Sequence, residues 1–297
     1  MMAFSVQTTR RGKRMRNIAY GCQTYPWKMN QKRYAGDLPH MAQVASQAGF
    51  TGLEAEIGML GTYFDEPARA KDVLDAYRLD LAAIVLHQPW AGPGETAEEA
   101  ALSEQAVGFL SFFPGAKLIV SHHAVPGDRP DDYAELKRRR ENLLFCMAAV
   151  ANRAAGKGIV TAFHPNSSVH SLFRTEPDYE VLFGMLSKGS VGYAPDIGHI
   201  VNGGMDALET LCVSRQLVRH VHFKDRTMHG EWAVMGEGDV DYPSIIRCLE
   251  DIEYNGWIIV EDESPEARAD SDAVVRRDGA YIQACQKAKT GQERKEG

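Results

Sequence analysis

Four short apolar runs in this sequence end on side chains that bind metal ions. They are Gly-Ile-Val-Thr-Ala-Phe-His164, Gly-Tyr-Ala-Pro-Asp196, Val-Arg-His-Val-His222 and Gly-Trp-Ile-Ile-Val-Glu261. Two imidazoles and two carboxylates make a mixed nitrogen and oxygen donor set. Such a set suits Mn or Co first, with Mg, Zn or Fe as the other candidates, and Ca least. Taken singly, a histidine at the end of an apolar run is more often a hydrogen-bonded core or surface residue. Four donors at the same ends of four runs point to one divalent cation held by His164, Asp196, His222 and Glu261.

The neighbours of these residues add chemistry. His199 lies three residues past Asp196, as a contact for the substrate or for the metal ligands. His220 precedes His222 by two, so both share a sheet face, and the one nearer the strand end reaches the metal. His122 and His123 follow the fourth apolar run; one faces inward and the other solvent. Lys224 and Asp225 come directly after His222, to bind substrate hydroxyls or to pair with each other. Glu54, His87 and Trp27, near the ends of the first three runs, complete the expected substrate-binding set. In Met-Gly236-Glu-Gly238-Asp-Val-Asp241, Asp241 reads as a helix N-cap. The glycines there would let the backbone approach a substrate.

These side chains need a scaffold that gathers strand ends. Short apolar runs predict strands over 18–23, 51–55, 81–86, 117–120, 159–163, 191–195, 218–223 and 257–260. Helical patterns lie between them, over 37–47 (capped by Asp37), 67–77, 95–112, 131–155, 176–186, 205–212, 242–250 and 266–287. Alternating strands and helices make a parallel sheet. Eight such units predict a closed (β/α)8 TIM barrel, one domain over 17–288, with its site at the carboxyl ends of the strands. An open sheet would show a glycine-rich phosphate loop after the first strand, and Gly-Cys-Gln-Thr-Tyr-Pro26 is not one.

Bulk properties exclude several classes. The chain has 297 residues, 44% hydrophobic and 25% charged, as in a folded globular protein. A net charge of -7 argues against nucleic acid as the main partner. No run is long enough to span a membrane. The five cysteines are scattered and form no CxxC pair, which fits reduced thiols and a cytoplasmic location. Arg10, Arg11 and their basic neighbours lack the long apolar segment of a twin-arginine export signal, so 1–16 reads as a disordered tail. Residues 289–297 read as a frayed end. Homo-oligomerisation is left open.

The sequence also resembles the xylose-isomerase-like TIM-barrel superfamily of sugar isomerases, epimerases and dehydratases. The likeness is strongest over 158–266, in Phe-His164, Asp196-Ile-Gly-His199, His220-Val-His-Phe-Lys-Asp225, Gly236-Glu-Gly-Asp-Val-Asp241 and Glu253-Tyr-Asn-Gly-Trp-Ile-Ile-Val-Glu261. Most of that superfamily has glutamate where His164 stands; its inosose-dehydratase-like branch is similar to this chain in having histidine. The branch continues with further histidines, whereas Pro165 and Asn166 follow here. His122 stands where the branch implies glutamate. The apurinic endonucleases of the same barrel need an Asp-x-His that does not follow Asp225.

This resemblance implies a small sugar or inositol-like substrate and a choice of chemistry. Ketose epimerases of the superfamily use two metal-bound glutamates, one on each face of the substrate. With His164 in the first place, only Glu261 of that pair remains. An elimination needs one base beside a ketone, an electrophile for the ketone oxygen and an acid for the leaving hydroxyl. The candidate bases and acids are Glu261, His122 and His199. The expected reaction is loss of water from a keto-inositol or related cyclic keto-sugar. Its alternatives are ketose isomerisation or epimerisation, elimination from a 3-keto-glycoside through a mouth near Trp27 and Trp90, and sugar binding on an inactive barrel.

Overall fold

The computed structural model describes residues 18–122 and 124–296, with side chains through residue 288. The expected tail over 1–16 and His123 lie outside the described residues, as do the side chains of 289–297. Eight strands run parallel: β1 Ala19–Gln23, β2 Gly52–Glu56, β3 Asp80–Gln88, β4 Lys117–His122, β5 Thr161–Phe163, β6 Gly192–Tyr193, β7 Val221–Phe223 and, last in the chain, β10 Trp257–Val260. A two-stranded antiparallel hairpin, β8 Asp225–Arg226 and β9 Trp232–Ala233, lies between β7 and β10.

The large sheet has the order β6-β5-β4-β3-β2-β1-β10-β7. Its two ends meet through parallel bridges Tyr193↔Val218 and Asp196↔His222. Backbone hydrogen bonds seal the seam: Tyr193 N–H to Leu217 O and His222 N–H to Pro195 O, both 2.8 Å. The sheet is therefore a closed ring with helices outside, the expected (β/α)8 TIM barrel.

Strand alternation explains the two cores. Ile84, Leu118, Val120, Phe163, Val221 and Ile258 pack outward into the layer shared with the helices. Burying each such side chain contributes about 1.5–3 kcal/mol. The residues between them, Ala83, Val85, Ile119, Ala162 and Ala194, form a separate small cluster in the barrel interior. Continuing the alternation by two puts His164 above Ala162, Asp196 above Ala194 and Glu261 above Ile259. All then lie on the inner face at the carboxyl end.

Local signals set the helix ends. Asp37 caps Leu38–Gln47 by accepting from His40 N–H at 3.3 Å, and Gly49, at φ +89, ends that helix. The expected cap at Asp241 is present, with Ser244 N–H donating to its carboxylate at 3.1 Å. Other expectations differ. The segment read as one helix over 266–287 is two, Pro265–Ala269 and Ser271–Glu296. The break is at Asp270, whose extended backbone (φ -148, ψ 88) cannot continue a helix. The strands expected over 159–163 and 191–195 keep regular pairing only at Thr161–Phe163 and Gly192–Tyr193. Among the described residues no helix is long and apolar enough to cross a membrane.

Candidate metal centre at the carboxyl end of the barrel

His164, Asp196, His222 and Glu261 converge, each offering one donor atom within 4.8 Å of the others. All four are buried. His164 Nε2 is 3.4 Å from Asp196 Oδ2, and His222 Nδ1 is 2.9 Å from Glu261 Oε2. The His164 and His222 rings lie 4.5 Å apart. Among the described residues, His164 Nε2 and Asp196 Oδ2 are buried without a hydrogen-bond partner. Buried polar atoms are nearly always paired, and unpaired ones are costly. Two unpaired ligand atoms 3.4 Å apart, within a mixed nitrogen and oxygen set, fit a divalent cation.

Asp196 serves two purposes. Its Oδ1 accepts His199 N–H at 2.9 Å and so caps the helix Ile197–Asn202. That leaves Oδ2 for the cluster. Gly198 makes the turn possible, because an added Cβ there would stand 2.3 Å from Lys224 O.

Lys224 is the counter-charge. It is 1% exposed, yet its ammonium donates to Glu261 Oε1 at 2.8 Å, to Glu263 Oε1 at 2.6 Å and to His199 Nε2 at 3.2 Å. An ammonium has only donors, so His199 Nε2 accepts. The His199 proton therefore sits on Nδ1 and points to Ser167 Oγ, 2.8 Å away. Burial, reinforced by the Lys224 charge, pushes His199 down to about 3, so its ring is neutral. Burial alone would raise Glu261, but Lys224 and His222 outweigh it and hold its carboxyl well below the usual range. Burial opposes the charge of His222, yet Glu54 and Glu261 raise it to about 10.

The remaining expected site residues divide. His87 lies at the end of β3, half-buried, with Nε2 3.0 Å from Glu56 Oε1. His220 packs below His222, as its spacing implied, and is fully buried. Glu54 does not reach the mouth: it is 0% exposed, beneath the cluster, in contact with His220 and His222. Trp27 is also 0% exposed, and its indole N–H donates to Asp272 Oδ1 at 2.8 Å, away from the cluster. Trp90 is buried as well, so neither tryptophan widens the mouth.

His122 is one residue out of phase. Ser121 takes the inner position two after Ile119, and donates to His164 O at 3.0 Å. His122 turns outward, into a crevice shared with Leu143, Phe163 and Phe173, with Nε2 3.6 Å from Asp128. The structure thus brings Glu261 and His199 together but not His122. Asp225 is buried and does not pair with Lys224. It accepts N–H bonds from Gly236 at 2.8 Å and Gly238 at 3.2 Å, which ties down the glycine turn. A Cβ on Gly238 would stand 2.2 Å from Asp225 Oδ1, so the carboxylate itself demands this glycine.

Sequence reasoning missed Glu56, Glu263, Ser167 and two aromatic rings. Glu56 is buried at the end of β2, 3.0 Å from Lys28 Nζ. Tyr25 and Trp232 flank Lys224, whose Nζ is 5.7 and 5.4 Å from their ring centres. A cleft of about 800 Å³ lies between 28–34 and 268–276 and contains none of the four ligands.

Comparison with known proteins agrees with the barrel fold. The family model of the xylose isomerase-like TIM barrel matches residues 42–285. An inosose dehydratase of Clostridium perfringens is 29% identical over 287 residues, covering 85% of this chain and 92% of that protein. Among solved structures, the probable 3-DHS dehydratase AsbF of Bacillus anthracis superposes with a TM-score of 0.69 at 15% identity, over 90% of this chain and 99% of its own. The IOLI protein with a bound zinc atom also gives 0.69, at 13% identity, over 90% and 98%. These two likenesses are of fold.

Proposed function

This chain belongs to the xylose isomerase-like TIM-barrel family, and from that premise we propose that it is a metal-dependent carbon–oxygen lyase. Its reaction removes water from a keto-inositol or related cyclic keto-sugar by α-proton abstraction and β-elimination. One observation carries the reading: the four-donor cluster holds a single glutamate, Glu261, with histidine at 164. The inosose dehydratase relative supports the same substrate class.

His164, Asp196, His222 and Glu261 would hold one divalent ion, Mn or Co first, which supplies Lewis acidity toward a ketone oxygen. The proton chemistry belongs to the chain. Glu261, kept ionised by Lys224, takes the α-proton. His199 has its proton on Nδ1 against Ser167, so its Nε2 has none to give. The acid for the leaving hydroxyl is then Lys224, whose ammonium donates to Glu261 of the cluster and to Glu263 and His199 beside it. A proton to Glu261 and another from Lys224 release one water. The 2.8 Å bond between the two returns the first proton to the amine and restores both charges. Tyr25 and Trp232 wall this charge off from solvent, which strengthens it.

The test is to incubate metal-loaded protein with a panel of keto-inositols and ketoses and follow products by mass and ultraviolet absorbance. Loss of one water with formation of an absorbing dione is expected. A product of unchanged mass would replace this reading with isomerisation or epimerisation. Release of an aglycone from a 3-keto-glycoside would move the lyase to that substrate class.

A further inference from the structure

Glu54 sits on β2 yet reaches across the barrel to two residues beside and on β7. Its Oε2 is 2.7 Å from His220 Nε2 in a hydrogen bond. Its Oε1 is 3.0 Å from His222 Nε2, close enough to pair but not angled for a hydrogen bond, so both of these atoms are still open. All three side chains are at most 1% exposed. The other ring nitrogen of His222, Nδ1, lies 2.9 Å from Glu261 Oε2, on the side of the metal-ligand cluster. A neutral imidazole binds a metal only through the nitrogen without the proton. We infer that Glu54 is a positioning residue for the metal centre: when an ion replaces the proton on Nδ1, Glu54 accepts the Nε2–H of His222 across this 3.0 Å contact and so fixes Nδ1 as the nitrogen that takes the ion. The inference rests on the metal centre of the reading above and adds the device that orients one of its ligands.

The barrel interior is built to let Glu54 do this. Barrel interiors are usually filled by Val, Ile and Leu. Here small residues, Ala83, Ala162 and Ala194, occupy much of that space, and Gly21 faces Ile259. An added Cβ on Gly21 would stand 2.7 Å from the Ile259 side chain. The carboxylate has acceptors only, so His220 donates to it and His222 can pair with it only by donating from Nε2. Glutamine at this position offers one acceptor and one donor group. Its one oxygen can stand opposite only one of the two histidines, and the other then meets the NH2. One histidine would have to move its proton to Nδ1, and for His222 that nitrogen is the one the ion needs.

Glu54, His220 and His222 also meet the distance criterion for a metal group of their own. His222 would then use Nε2 for metal, and the inference would fail. Metal ligands held by carboxylates typically lose about 10- to 100-fold in affinity when that partner is removed.

The experiment uses the full chain loaded with zinc. Long-range ¹⁵N correlation spectra should show His222 bound through Nδ1 and protonated at Nε2. Zinc affinity, measured by competition with a chromophoric chelator, should fall about 10- to 100-fold in Glu54→Gln. If the wild type holds no zinc, the metal centre itself is wrong. If the wild type binds zinc and Glu54→Gln binds it as tightly, the positioning role is overturned while the centre stands. Zinc on Nε2 of His222, or a second zinc lost in the variant, overturns it too. Should Glu54→Gln not fold, the wild-type spectrum alone decides.

Discussion

Asp178 and Asp196 are both buried aspartates beside cationic side chains, and they are finished differently. Asp178 accepts from Arg129 at 2.9 and 3.0 Å, from Arg174 N–H, Thr175 N–H and Thr175 Oγ1 at 3.0 Å each, and from Arg140. Asp196 has one oxygen paired and the other, Oδ2, 3.4 Å from both His164 Nε2 and Lys224 Nζ with no hydrogen bond. The first is a closed network that fastens the loop after β5 to the helices Tyr133–Ala155 and Glu176–Leu186. The second is left open where a ligand would complete it. Satisfied buried charge marks structure; unsatisfied buried charge at strand ends marks a site.

The sharpest way to break this contrast is to neutralise each aspartate in turn. Asp196→Asn keeps the cap on His199 and the shape, but removes a charged donor. It should abolish activity and most bound divalent ion while leaving metal-free thermal stability near that of the wild type. Elemental analysis and thermal unfolding read the two effects, and wild-type metal content in the variant would mean the ligands are misassigned. Glu261→Ala should lose metal in the same way.

Asp178→Ala should do the reverse. It leaves Arg140, 6% exposed, without its carboxylate. Breaking a buried pair from one side costs about 3–5 kcal/mol. Urea titration should show that loss, with metal content of the folded fraction unchanged. A loss below about 1 kcal/mol would place the network among surface ion pairs.

The same aspartate predicts a pH dependence. Burial alone would raise Asp178, but the Arg129 hydrogen bonds and the backbone N–H groups outweigh it and hold it at about 2. An unfolded aspartate titrates near 3.9, so the folded group binds its proton less readily. Its contribution, about 2 kcal/mol, is full above pH 4 and is lost as pH falls toward 2. Unfolding free energies from pH 5 to 2 should therefore converge for the wild type and Asp178→Asn. Parallel curves would show that the carboxylate is not held.

Which parts of this were legible beforehand follows from strand geometry. A period of two tells which face a residue takes, so His164, Asp196, His222 and Glu261 could be grouped from apolar runs alone. Depth along the strand is harder. Glu54 and Glu56 share the inner face of β2, and the one nearer the carboxyl end, Glu56, is at the mouth. The rule that ranked His222 above His220 applied here too. His122 failed by one residue, because β4 runs to His122 and not to Val120. Asp225 and the hairpin Asp225–Ala233 had no periodic signal, since turn contacts are set by backbone N–H groups that no side-chain pattern records.

The smallest expected effect comes from changing the open cluster without breaking it. His164→Glu should leave the centre able to hold metal, since glutamate is also a donor. Its added negative charge opposes the charge that develops on the ketone oxygen during α-proton removal. Water loss should fall by about tenfold, or about 1.4 kcal/mol of barrier. The second carboxylate also offers a route for returning a proton to carbon, so solvent deuterium should enter the α-carbon of unreacted substrate. Mass spectrometry of recovered substrate measures that exchange, and absorbance of the dione measures elimination. Asp178 lies in the closed network, so Asp178→Asn should show neither change. If the wild type itself exchanges deuterium and interconverts ketoses without loss of mass, Glu261 and its histidine neighbours already move protons in both directions. The contrast between one glutamate and two would then carry no chemical meaning.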